Sequence, residues 1–148
     1  MYDQPRPNRS TPAMTFDQML ERVRYEGAYP TRERAAEAVH HVLAALGRQV
    51  TGDERVDLAQ CLPVEAALTL TAQIPEGEQL TGWGFVKDLA ARTGVSPAIA
   101  RWDTGAVLAV VTRLVGPGLL ARILQSLPDG YALLFGQAEL RRPEPAPA

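Results

Sequence analysis

An all-α fold, in which one three-to-four-helix unit is duplicated in tandem and packed as a single helical bundle, follows from three observations. Apolar residues recur every three or four positions through most of the chain, capping residues stand where those runs begin, and a stretch starting at Ala35 is repeated sixty-five positions later. A composition of 46% apolar and 22% charged residues is that of a folded domain, not of a disordered chain.

Thr15 and Gln18 have the spacing of a capping box, and Phe16, Met19, Leu20 and Val23 then follow the helical period until Gly27 stops it. The first helix is expected over Phe16 to about Glu26. Thr31 caps a second, in which Ala35, Ala38, Val39, Val42, Leu46 and Val50 share one side of the wheel, while Glu33, Glu37, His40, His41 and Arg48 occupy the other. Thr51 and Asp53 open a short helix through Val56, Leu58 and Ala59, and Pro63 suits the first turn of a further helix to Leu70. Pro75 and Gly77 mark a linker.

The order of elements then begins again. Trp83, Phe85, Val86, Leu89 and Ala90 form a helix closed by Gly94, and Ser96 with Pro97 opens a long helix to about Leu114. Pro117 starts a helix containing Leu120, Ile123 and Leu124, and Pro128 another that ends near Phe135. The expected organisation is a disordered tail over 1–14, a first unit over 15–70, a linker over 71–80, a second unit over 81–136 and a proline-rich disordered tail over 137–148.

Shifting residues 35–70 forward by sixty-five positions gives eleven identities in thirty-six places without a gap. The most specific part is Gln-x-Leu-Pro, at Gln60 to Pro63 and again at Gln125 to Pro128. Proline disfavours helix in the residue before it and fits the first turn of the next, so the Leu-Pro step reads as a corner. The doubled pattern, with Val42-Leu43 and Val107-Leu108 on the preceding helices, resembles the bacterial domain-of-unknown-function family 2267 over about Phe16 to Phe135. The resemblance implies an all-helical tandem-repeat fold and supplies no activity or catalytic residues.

Several classes of function are disfavoured. A net charge of −2 lacks the basic excess of a nucleic-acid binder, so no DNA or RNA partner is expected. The longest apolar run, Gly105 to Val111, falls far short of the ~20 residues of a membrane span. The polar, proline-rich start and the single cysteine fit a cytoplasmic protein, and the strong preference for arginine over Lys87, the sole lysine, suggests a GC-rich bacterial genome.

Glu37 and His40 have the Glu-x-x-His spacing of di-iron bundles, but the second copy has Trp102 and Gly105 there, so no metal or other cofactor is expected. Cys61 precedes the Leu62-Pro63 corner with an apolar neighbour, which favours a packing role over a reactive thiol. Arg22, Arg24, Arg32 and Arg34 interleave with Glu21, Glu26 and Glu33 and read as solvated surface. Without a nucleophile beside a base, an enzyme ranks last among the functional readings.

The two units differ on the outer side of their long helices. Where the first has Glu33, Glu37, His41 and Arg48, the second has Ile99, Trp102, Ala106, Ala109 and Arg113, an apolar stripe that calls for a cover. Cover from within the chain is the first expectation; a homodimer or a protein partner is the sharper one. The leading function is therefore a non-enzymatic interaction module. The alternative is a small-molecule binder or sensor, with a pocket between the units lined by Trp83, Phe85 or Tyr131.

Overall fold

The computed structural model describes residues 13–137, and these are all-α, with no strand among them. Seven helices are described: α1 (Phe16–Gly27), α2 (Arg32–Gly47), α3 (Gly52–Cys61), α4 (Val64–Thr71), α5 (Gly82–Thr93), α6 (Pro97–Ser126) and α7 (Tyr131–Leu134). The termini obey local chemistry. Thr15 and Gln18 form the reciprocal capping box, and Thr31, Thr81 and Ser96 each accept an N–H from the first turn of their helices. Gly94 closes α5 in the left-handed region.

The two central helices are α2 and α6, in contact with each other and with α1 and α5, while α4 packs on α2 and α3 and α7 pack on α6. One hydrophobic core runs through them, from Met19 and Val23 through Val42, Leu43 and Leu46 to Phe85, Val107, Leu108, Val111 and Phe135. The polar outer side expected for α2 exists only in its first half. Glu33, Glu37 and His40 are exposed, but His41 and Arg48 are half-buried, Arg48 donating to Gln73 just beyond α4.

α6 is the one described helix long and apolar enough to cross a bilayer, and much of its apolar surface faces the bundle core. It is two helices in one: Gly116, at φ 79° and ψ 166°, breaks the path just before Pro117, which starts the second segment. A proline there removes one intrahelical N–H and clashes with the preceding turn, so the break relieves both. The two Leu-Pro corners share a geometry. Leu62 (φ −94°, ψ 151°) and Leu127 (φ −109°, ψ 155°) are both extended and both buried.

After the second corner the expected helix from Pro128 does not form. The Asp129 carbonyl accepts the Gly82 N–H at 2.8 Å, Gly130 turns left-handed at φ 99°, and helix resumes only for the single turn Tyr131–Leu134. At the first corner the Pro63 carbonyl instead accepts from Ala67, and α4 starts at once. Gly82 and Gly130 lie so close that a methyl on Gly82 would stand 2.5 Å from the Gly130 backbone. The tails expected over 1–14 and 137–148 lie mostly outside the described residues; Met14, assigned to the first, packs partly buried against the core.

Candidate functional site

The outer face of α6 carries a groove of about 470 Å³ lined by Glu26, Ala98, Arg101, Trp102, Gly105 and Ala106. Its floor is made of small side chains and its wall is Trp102. The indole is 57% exposed, yet its Nε1 donates to the Gly27 carbonyl at 2.9 Å. Carbonyls in the last turn of a helix have no partner inside it, so the end of α1 supplies an acceptor at the place where Trp102 arrives. Further along, the Arg113 guanidinium donates to Glu26 Oε2 at 2.8 Å.

Of the five residues expected as an outer stripe, the structure therefore brings Trp102 and Ala106 into one groove, while Arg113, outside the lining, pairs with the groove's Glu26. Ala106 is buried and Ala109 half-buried, whereas Ile99 stays 45% exposed outside the lining. α1 lies along one side of the stripe and leaves the remainder open.

Beneath this face is a polar node that patterning alone did not reveal. Asp103 is buried on α6, and its carboxylate accepts the Tyr29 hydroxyl at 2.6 Å and Arg34 Nη2 through both oxygens at 3.1 Å. The Arg34 guanidinium also stands over the Tyr29 ring, 4.8 Å from its centroid. Its Nη1 is sealed from solvent without a hydrogen-bond partner, 3.5 Å from Glu37 Oε1. Burial first, and the bond to Asp103 second, push the Tyr29 hydroxyl well above the usual tyrosine range. The node ties the start of α2 and the α1–α2 turn to α6 one residue from Trp102.

Arg34 thus departs from the solvated basic surface expected for it. Its neighbours keep that role: Arg24 and Arg32 both pair with Glu21 at 3.1 Å and hold its carboxyl below the ordinary carboxylate range, and Arg22 is exposed. A charged residue flanked by apolar ones on a buried arc, as Asp103 is between Ala100 and Val107, is the signal that could have located the node.

The three aromatic pocket candidates do not share an opening. Phe85 and Tyr131 are both 1% exposed and pack edge to face, ring centroids 5.6 Å apart, while Trp83 on the same helix is 61% exposed. The Tyr131 hydroxyl donates to the Leu80 carbonyl at 3.0 Å, and burial raises its pKa beyond the tyrosine range. Cys61 is half-buried, its thiol pushed up by desolvation and then by Asp57, the opposite of an activated nucleophile. Glu37 and His40 are exposed, and among the described residues no three metal-binding side chains converge.

Two further features escaped sequence reasoning. Val56 on α3 and Val64 on α4 are each more than half exposed and help line a second apolar groove of about 440 Å³, and Leu68 on α4 is exposed as well. The Arg55 guanidinium gathers the carbonyls of Gly47, Val50, Leu70 and Gln73, closing the C-terminal ends of α2 and α4 together.

The family model described as "Uncharacterized conserved protein (DUF2267)" matches residues 16–134, which span every described helix. No curated protein matches the chain.

Proposed function

From the premise that this chain belongs to the DUF2267 family, we propose that it is a non-enzymatic protein-interaction module whose contact surface is the groove around Trp102. The observation that carries the reading is the state of that side chain: an indole left 57% exposed and at the same time oriented by a hydrogen bond. Tryptophan is among the residues that dominate binding energies, and one already fixed in place loses little entropy on contact. The small floor of Ala98, Gly105 and Ala106 supports the reading, since it lets an incoming helix or side chain approach α6 closely.

A cytoplasmic setting belongs to the same proposal and is supported by the lone, unactivated Cys61. So does the tandem duplication, supported by the matching backbone geometry at Leu62 and Leu127.

A photo-crosslinking amino acid at position 98, introduced in the native cells, tests the proposal. The expected result is a discrete crosslinked protein product that disappears in the Trp102→Ala background. A chain that stays uncrosslinked, or crosslinks equally without Trp102, overturns it.

A further inference from the structure

We infer that the occupant of this groove is a second copy of the chain, held by a two-fold pairing in which each Arg101 meets the partner's Glu26. The inference rests on the groove being an interaction surface and names what fills it.

The charges around the groove are unbalanced in a particular way. On the helical wheel of α6, Ala98, Gly105 and Trp102 face outward, and Arg101 flanks them on the side away from α1. Its guanidinium lies across the groove floor, where a methyl on Gly105 would stand 2.9 Å from Nη1. Among the described residues Arg101 makes neither an ion pair nor a hydrogen bond. Glu26 reaches the opposite rim from α1, and among the described residues its side chain is engaged only by Arg113, through Oε2. One groove therefore holds an uncompensated cation on one side and a half-used carboxylate on the other.

A two-fold axis lying along α6 exchanges the two rims. Two copies placed face to face about that axis set each Arg101 over the partner's Glu26, and both contacts form at once. An unrelated partner would need its own matching charges at this spacing, whereas a second copy already carries them. The same operation lays each Trp102 against the partner's small-residue floor, so the indole leaves water as the charges meet. Helix axes 8–10 Å apart are ordinary for packed helices, and glycine with two alanines sits well within that approach.

Light scattering on the purified full chain, across a dilution series to millimolar, reads the outcome directly. The expected wild-type mass is twice the 16.1 kDa of the chain. Arg101→Glu and Glu26→Arg should each raise the dimer dissociation constant at least tenfold, or about 1.4 kcal/mol. Mixing the two variants should restore association as a heterodimer, because each then supplies the charge the other lacks. Circular dichroism shows that each variant is folded, and the rescue by mixing excludes a folding defect as the cause. A wild-type monomer throughout, a dimer indifferent to both reversals, or a failure of the mixture to associate overturns the inference. Crosslinks from position 98 to a different protein, with no self-crosslink, likewise overturn it while leaving the interaction module standing.

Discussion

The hydroxyl of Tyr29 donates to the carboxylate of Asp103 at 2.6 Å, joining the α1–α2 turn to the second turn of α6 across seventy-four residues of chain. Removing Asp103 strands both Tyr29 and Arg34. Asp103→Ala should cost about 2–3 kcal/mol, below the ~3–5 kcal/mol of a fully buried pair because Arg34 retains access to solvent. Tyr29→Phe should cost only about 1 kcal/mol, since Arg34 still satisfies the carboxylate. Urea unfolding midpoints separate the two, and equal losses would show that the Asp103–Arg34 contact contributes nothing.

The same hydroxyl sets a limit at alkaline pH. Tyr29 and Tyr131 both have pKa values raised above the ordinary 10.0, so the folded chain holds these protons more tightly than the unfolded one. The stability they contribute is complete below pH 10 and falls as pH rises beyond it. Unfolding followed from pH 8 to about pH 11 should show that decline, and the Tyr29→Phe, Tyr131→Phe double variant should flatten it. A slope unchanged in the double variant would assign the decline to other groups.

Arg55 closes two helix ends with one planar group. Arg55→Ala should destabilise by about 2–3 kcal/mol, the range for charge-assisted hydrogen bonds lost at a part-buried site. Arg55→Lys should recover less than half, because an ammonium cannot span four carbonyls in and just beyond the ends of two helices. Full recovery by lysine would reduce the site to charge alone.

Two glycines, each in the first turn of a helical segment, should respond oppositely because their surroundings differ. Gly82→Ala drives a methyl into the Gly130 backbone and should cost more than about 2 kcal/mol. Gly118, helical and with nothing within 4 Å of its added methyl, should gain about 0.5–1 kcal/mol as alanine. Thermal unfolding of both variants checks the pair; a neutral Gly82→Ala would mean that the α5–α7 approach can open freely.

What could be read from the sequence was local. Capping by Thr15, Thr31 and Ser96, closure by Gly94 and the restart at Pro117 each depend on residues within four positions, and each stands where the pattern put it. Ile99 and Trp102 were placed outward by the wheel, and both are exposed. Ala106 was placed there as well, but the wheel carries no information about α1, which buries it. Pro128 failed for the same reason: the Asp129 carbonyl turns to Gly82, forty-seven residues earlier in the chain, and Gly130 turns left-handed, so the backbone leaves the helical path. Asp103 with Arg34, and Arg55 with its four carbonyls, are meetings of distant segments that no spacing rule encodes.

The bonds from Trp102 to Gly27, Arg113 to Glu26 and Asp103 to Tyr29 all cross from one half of the chain to the other. Between those halves runs only the exposed stretch around Pro75 and Gly77. Cutting the chain there would leave a non-covalent complex whose seam is the hydrophobic core itself. Two co-expressed fragments should therefore reassemble as complementing pieces, and in the intact chain the linker acts chiefly by keeping each half at high effective concentration for the other.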